Sequence, residues 1–253
     1  MPETTRATFR FYEELNDFLP PERRKRDFDV GIDRARSVKD AIEAVGVPHT
    51  EVDLILVDGA SVDFRHVLRG GERVSVYPMF ERLDITPLLR LRPRPLRDPR
   101  FVADVHLGKL ARHLRMAGFD TLFDAGWDDD AIVAASLGQR RTILTRDKAM
   151  LRRAEVDRGY FVRAVESEAQ LAEVLRALQL EALVHPFFRC RECNTPLEDA
   201  PPDAIAAMVP PAIRALYERY KRCPACLRIY WEGSHFVRMQ AALARARAST
   251  ARP

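Results

Sequence analysis

The sequence predicts an α/β protein of two domains with a small metal-binding module behind them, and three observations lead there. Residues 1–85 run as short alternating apolar stretches broken by Asp-Gly and Gly-Gly turns, with one helix-like stretch among them. From residue 101 to 178, apolar strand-like runs alternate with stretches whose apolar residues recur at helical spacing, the pattern of a parallel sheet with right-handed crossovers. Towards the end of the chain, four cysteines fall into two Cys-x-x-Cys pairs.

The first 85 residues read as β-β-α-β-β. TRATFRF, residues 5–11, alternates and ends in aromatics, so it is a strand; residues 20–27, PPERRKRD, are a charged loop tip, and Phe28 to Ile32 form the second strand of the hairpin. Ser37 suits the N-cap of a short helix through Val45, with Asp40 in its first turn and Gly46 ending it. Val52 to Val57 is a β-rich run closed by the turn Asp58-Gly59; Gly70-Gly71 is another turn, and Arg73 to Pro78 is the last strand. This order resembles the β-grasp, or ubiquitin-like, fold. The segment LILVDGASVDFRHVLRGGERVSVYPMFERLDI is similar to the ubiquitin-like domain fused ahead of Mut-seven C-terminal RNase domains, a relative of small sulfur-carrier proteins. Sulfur carriers end in a free Gly-Gly; here the chain runs on past Tyr77 and Gly70-Gly71 sits inside a turn, so carrier chemistry is not expected. The resemblance leaves a structural role, or docking of a protein partner, for this domain.

Residues 86–99 form a linker dense in proline and arginine, in which proline forbids regular helix or a central strand. It is either a plain spacer or a direct RNA contact. The net charge of +4 is uneven: residues 1–85 hold 13 basic and 17 acidic side chains, residues 86–185 hold 17 and 14, and residues 186–253 hold 11 and 6. A polyanionic partner would therefore meet the later two-thirds, unless the arginines only reflect genome composition. No apolar run approaches the roughly 18–20 residues of a membrane helix, and Met1 to Phe11 has no secretory pattern, so a cytoplasmic protein with no membrane partner is expected. In that compartment paired cysteines favour a metal over disulfides.

In the second domain, FVADV is a strand, Leu107, Leu110, Leu114 and Ala117 mark a helix capped by Gly118, and Thr121 to Phe123 is a short strand. Asp128 to Leu137 is a helix, RTILTRD a strand, Lys148 to Glu155 a helix, Tyr160 to Val165 a strand, and Glu168 to Leu178 a helix with Leu171, Val174, Leu175 and Leu178 on one face. Sites in such sheets lie at the carboxyl ends of the strands. Asp104 ends the first strand, Asp147 ends TILTRD, and Asp129 opens the helix between them. At about 4 Å and an effective dielectric near 20, each pair of such carboxylates repels by roughly 4 kcal/mol, so a cluster implies a neutralising divalent cation. Otherwise the acids are separate helix caps, a role that Asp128, Asp129, Asp130 and Asp147 all suit.

The blocks FVADVHLGKLARHLRMAGFDT, DDDAIVAAS, RTILTRDKAML and HPFFRCRECN, in that order between about Phe101 and Cys226, resemble the Mut-seven C-terminal RNase family, a branch of the PIN-like nucleases. The resemblance implies a PIN-like α/β fold, Mg²⁺- or Mn²⁺-dependent hydrolysis of RNA phosphodiesters, and catalytic acids at Asp104, Asp129 and Asp147. PIN nucleases often show a fourth acid; Asp124 and Asp128 are its candidates here. Lys109, Arg112, Arg115, Arg146 and Lys148 surround the acids as candidate phosphate contacts, the first three at i, i+3 and i+6 along one helix, although such residues are also ordinary on an exposed helix face. His106 and His113 are possible proton carriers or surface and packing residues.

Cys190 and Cys193, then Cys223 and Cys226 after 29 intervening residues, have the spacing of two zinc knuckles completing a structural four-cysteine Zn²⁺ site. Tyr230, Trp231, Arg189, Arg191, Lys221, Arg222 and Arg228 flank them, suited either to single-stranded RNA or to the ribbon's own small core. The domains expected are a β-grasp domain over 1–85, the linker 86–99, a PIN-like domain over 100–184, a zinc ribbon with a helical insertion over 185–235, and a basic tail over 236–253. The functional expectation is a metal-dependent ribonuclease; the alternatives are a non-catalytic RNA-binding adaptor and a toxin-like nuclease held by a partner at the ubiquitin-like domain. The first domain is expected to fold alone, and residues 100–230 to keep nuclease activity without it.

Overall fold

A computed structural model describes residues 5–32, 35–78 and 99–234, with 236–238, 240, 241 and 244 beyond them. The linker expected over 86–99 lies outside the described residues except for Pro99, and so does most of the basic tail over 236–253. The chain divides into two compact units, Met1–Asp98 with Asp147–Phe161, and Pro99–Arg146 with Val162–Pro253. No helix among the described residues is long and apolar enough to cross a membrane.

In the first unit, β1 (Thr5–Phe11) turns Ala7, Phe9 and Phe11 inward and pairs antiparallel with β2 (Phe28–Ile32), Phe9 facing Phe28. A 3-10 turn forms at Glu13–Phe18, and a second, at Pro21–Arg23, lies within the charged loop tip expected over 20–27. After β3 (Arg36–Ser37), the Ser37 hydroxyl accepts from the Asp40 N–H at 3.1 Å and starts α1 (Val38–Ala44), whose buried Val38, Ala41 and Ile42 lie at i, i+3 and i+4. Gly46, at φ +104°, ends the helix. The strand β4 (Leu54–Val57) begins later than expected because His49–Glu51 forms a 3-10 turn.

Asp58 and Gly59, both at positive φ, make the two-residue hairpin to β5 (Ala60–Ser61), with Val57 facing Ala60. A short β6 (Val67–Leu68) pairs with β3. Last comes β7 (Arg73–Tyr77), parallel to β1 and antiparallel to β4, giving the order β2-β1-β7-β4-β5. Phe9, Phe11, Leu15, Ile42, Ile55, Leu68, Val74 and Val76 fill the core between this sheet and α1. The β-grasp expectation is met.

The second unit is built on β8 (Arg100–Ala103), whose Phe101, Val102 and Ala103 are buried. A 3-10 turn then leads into α2 (Gly108–Met116), followed by β9 (Asp120–Leu122), α3 (Asp129–Gln139) and β10 (Thr142–Thr145). Both β9 and β10 run parallel to β8, on either side of it. The chain next supplies α4 (Lys148–Leu151) and β11 (Gly159–Phe161), which group with the first unit. Back in the second unit, α5 (Ser167–Ala177) buries Leu171, Val174 and Leu175 and packs on α2. The ribbon contains β12 (Glu198–Ala200), the single turn α6 (Pro211–Arg214), β13 (Tyr220–Arg222) and β14 (Ile229–Trp231), with all three strands antiparallel.

Candidate functional site

The carboxyl ends of β8 and β9 open into a cleft of about 570 Å³ lined by His106, Gly108, Lys109, Arg112, Phe123, Ala125, Val165, Glu166, Ser167 and Gln170. Its floor is shaped by a close approach of α2 to the loop after β9. A Cβ on Gly108 would stand 2.6 Å from the Phe123 ring, so a side chain there would push the ring away. Asp104, two residues before the cleft-lining His106, is 4% exposed. Its Oδ2 accepts from the Thr145 hydroxyl at 2.6 Å and its Oδ1 from the His106 N–H at 3.1 Å. Thr145 closes β10, so this bond ties together the ends of two neighbouring parallel strands. Each carboxylate oxygen keeps lone-pair capacity for a further ligand.

The other acids hold less enclosed positions. Asp128 is the N-cap of α3, accepting from the Ala131 N–H at 2.9 Å, and Asp129 is the exposed first residue of that helix. Asp147 is an exposed N-cap, accepting from the Ala149 N–H at 2.7 Å. Asp124 accepts from the Gly126 N–H in a turn. Of the candidate phosphate contacts, Lys109 and Arg112 line the cleft, Arg112 pairing at 3.5 Å with Glu192. Arg146 donates to the Arg163 and Ala164 carbonyls, and Lys148 stacks 5.2 Å from the Phe18 ring centroid and 5.3 Å from that of Phe161.

Arg115 corrects the sequence reading of an open basic face. It is 4% exposed, its Nε donates to the Thr121 carbonyl at 2.8 Å, and its Nη1 donates to those of Arg191 and Glu192 at 3.2 and 2.7 Å. Each i+3 step slips about 60° around a helix, so the third residue of the series stands about 120° from the first. Burial lowers the pKa of this guanidinium, while the nearby Cys190, Cys193 and Glu192 act against that shift. His113 is also drawn inward, its Nδ1 3.3 Å from the Ser167 carbonyl oxygen.

The ribbon is the best-defined centre. Its two knuckles repeat one hydrogen-bond pattern. The Cys190 N–H donates to the Thr195 carbonyl and the Asn194 N–H to the Cys190 carbonyl; the Cys223 N–H donates to the Arg228 carbonyl and the Leu227 N–H to the Cys223 carbonyl, all at 2.8–3.0 Å. The fourth residue after each leading cysteine takes the left-handed conformation, Asn194 at φ +68° and Leu227 at +63°. Asn tolerates that region; a leucine there is strained and is held by its knuckle.

Sγ of Cys190 lies 3.5 Å from that of Cys226, and Sγ of Cys193 lies 3.3 Å from that of Cys223. All four sulfurs fall within 4.8 Å of one another. Zn–S bonds of about 2.3 Å in a tetrahedron put sulfurs about 3.8 Å apart, so the donor set and spacing fit Zn²⁺, whereas a disulfide needs about 2.05 Å. Without a cation the thiols split. Desolvation is opposed at Cys193 by hydrogen bonds with Thr195 and the neighbouring thiols, which bring it down to about 6, while desolvation pushes Cys226 up to about 12. A divalent ion would remove that conflict by holding all four as thiolates. Among the described residues this is the only set of three or more His, Cys, Asp or Glu side chains gathered so closely; no grouping of the aspartates is.

The first knuckle is fastened to the sheet by a network that local sequence does not reveal. Asp120 on β9 takes a two-pronged ion pair from Arg141, at 2.7 and 3.2 Å, and accepts from the Asn194 side chain at 2.7 Å. The Asn194 oxygen in turn accepts from the Thr121 N–H at 3.1 Å. Against its burial, the bonds from Arg141 and Asn194 hold the Asp120 carboxyl below the usual carboxylate range.

A family model described as Mut7-C RNAse domain matches residues 99–243, and one described as Mut7-C ubiquitin matches residues 4–84. The chain belongs to the Mut7-C RNAse domain family. Neither a curated protein nor a solved structure gives a significant match. The two matches stand in the order that the sequence blocks imply, a ubiquitin-like domain ahead of an RNAse domain. The Mut7-C RNAse match takes in Asp104, Asp129, Asp147 and all four cysteines.

Proposed function

We propose that this Mut7-C RNAse chain is a metal-dependent ribonuclease that hydrolyses RNA phosphodiester bonds at Asp104, Asp129 and Asp147. One observation carries the reading. A cleft at the carboxyl edge of a parallel sheet, where such folds work, is lined by Lys109, Arg112 and His106, and the His106 N–H donates to the buried carboxylate of Asp104. The hard oxygen donors suit Mg²⁺ or Mn²⁺. Such an ion would neutralise the acids and activate water towards phosphorus. The chain's own part is to fix Asp104 through Thr145 and His106, and to hold the RNA backbone with Lys109 and Arg112. Arg115 takes no part in RNA binding, because all three of its bonds turn inward. Zn²⁺ on the four cysteines is structural. A cytoplasmic protein fits four thiols kept for a metal.

One observation favours the second reading, an RNA-binding adaptor without catalysis: among the described residues the aspartates are not gathered to within 4.8 Å. The experiment is cleavage of labelled single-stranded RNA by the purified full chain with Mg²⁺, Mn²⁺ or EDTA. Cleavage should need the metal, and Asp147→Asn should abolish it while RNA binding survives. Undiminished cleavage by that variant would remove the three-aspartate site; RNA binding with no cleavage under any metal would favour the adaptor.

A further inference from the structure

The residues after Asp147 lie within the RNAse match, yet residues 147–161 form one compact unit with the ubiquitin-like domain. The hold comes mainly from the 3-10 turn His49–Glu51. Nε2 of His49 is 3.0 Å from the Val156 carbonyl oxygen, the Thr50 hydroxyl donates to the Leu151 carbonyl at 3.2 Å, and the Glu51 carboxylate accepts from the Phe161 N–H. Returning the contact, the Arg152 guanidinium donates to the Gly46 carbonyl at 3.0 Å. Phe18 meets Phe161 edge-on at 5.8 Å, with the Lys148 ammonium over both rings.

His49, Thr50 and Glu51 are 4%, 0% and 5% exposed. A surface made to greet a separate partner keeps its polar groups in water. Here three consecutive polar side chains are buried, and each meets a backbone atom of one distant segment of the same chain. That segment needs such help. The four-residue α4 is a single turn, and a lone turn of helix does not hold itself in water. Asp147 is the N-cap of that turn. The carbonyl that Thr50 binds belongs to the turn's last residue, and Arg152 follows it directly.

We infer that the ubiquitin-like domain is a built-in positioning device of the nuclease, whose His49–Glu51 turn holds residues 147–161 and thereby fixes Asp147. The inference rests on the ribonuclease reading above. His49, Thr50 and Glu51 are positioning residues, since they act through α4 and meet no substrate. The dependence runs against the independence that the proline-rich linker leads one to expect: the RNAse domain needs the first domain for the setting of one of its acids.

The test uses the full chain with Glu51→Ala and Thr50→Val, read by hydrogen exchange and by RNA cleavage. Exchange of the amides from 148 to 161 should quicken at least tenfold in both variants, while those of β8 and β10 and the zinc content stay as in the wild type. Under the same conditions kcat should fall at least tenfold and KM for RNA stay within about twofold, because Lys109 and Arg112 are untouched. Glu51→Gln keeps an oxygen for the Phe161 N–H and should restore both readouts. Unchanged exchange in both variants would overturn the inference, as would quickened exchange with unchanged kcat. If the wild type cleaves no RNA, the ribonuclease reading fails, and the exchange comparison alone decides whether the turn holds the segment.

Discussion

Replacing Arg115 with methionine should loosen the ribbon from the sheet. The substitution keeps most of the apolar stem and removes bonds to three backbone carbonyls, those of Thr121, Arg191 and Glu192. A buried acceptor left without a donor costs about 1–3 kcal/mol. Thr121 is fully buried and should lie at the upper end; Arg191 and Glu192 are half-buried, so water can reach their carbonyls and they lie at the lower end. Relief from burying the guanidinium offsets part of the sum, leaving a net loss of about 2–4 kcal/mol. Against a typical total of about 5–15 kcal/mol this is large. Urea unfolding would read the loss, and transfer of zinc to a colorimetric chelator should quicken, since two of the carbonyls lie between Cys190 and Cys193. Arg115→Lys should recover little, because one ammonium cannot span carbonyls of β9 and of the knuckle as the forked guanidinium does. A loss under about 1 kcal/mol with unchanged zinc transfer would refute this account of Arg115.

Elemental analysis of untagged, desalted protein should give one zinc per chain, and Cys223→Ser should lower that figure; absence of zinc, or a disulfide between the pairs, would contradict the ribbon. Lys109→Ala and Arg112→Ala should each raise KM for RNA several-fold and flatten its salt dependence, since each phosphate contact contributes about one unit to the slope; unchanged salt dependence in both would take them out of the binding site. Burial first, with Lys39 beside it, lowers the His49 pKa against the pull of Glu43 and the Val156 carbonyl, so the unfolded chain takes up the proton first and stability should fall as pH drops below about 6.5, by at most about 1.4 kcal/mol per pH unit. His113, also lowered by burial, adds in the same direction, so urea midpoints should be compared for wild type and His49→Gln, and an equal pH slope in both would remove His49 from the account.

What the sequence reveals about this protein is what short-range chemistry determines. Ser37 caps α1 because a hydroxyl reaches an N–H three residues on; Asp58-Gly59 turns because both residues tolerate positive φ; the Cys-x-x-Cys pairs fold back on themselves through bonds spanning five residues or fewer. Each of these needs only neighbours, and each is legible in a window of a few letters. The helix expected from Lys148 to Glu155 fails for the complementary reason. Its composition permits helix, but α4 stops at Leu151, and Leu151, Arg152 and Val156 bond instead to residues of the first domain more than a hundred positions away. No local period records a partner at that distance.

The same distinction divides the candidate site. Asp104 can be placed at a strand end because the apolar run before it is plain, and the structure adds the Thr145 bond that fixes its orientation. Arg115 cannot be placed that way, since a basic residue on an amphipathic helix reads as solvent-facing until the knuckle carbonyls it meets are known. Asp120 escapes local reading altogether: it stands among the acids of the second domain, but its partners Arg141 and Asn194 are 21 and 74 positions away. Asp120 and Asp104 are close in sequence and alike in chemistry, yet among the described residues a guanidinium neutralises the first, while the second is bonded to a hydroxyl and an N–H. An acid already satisfied by Arg141 has no need of a cation, whereas Asp104, buried with neutral donors, still has lone pairs to offer one. That difference in partners, more than position in the sequence, separates an acid neutralised within the fold from one that keeps its donor capacity.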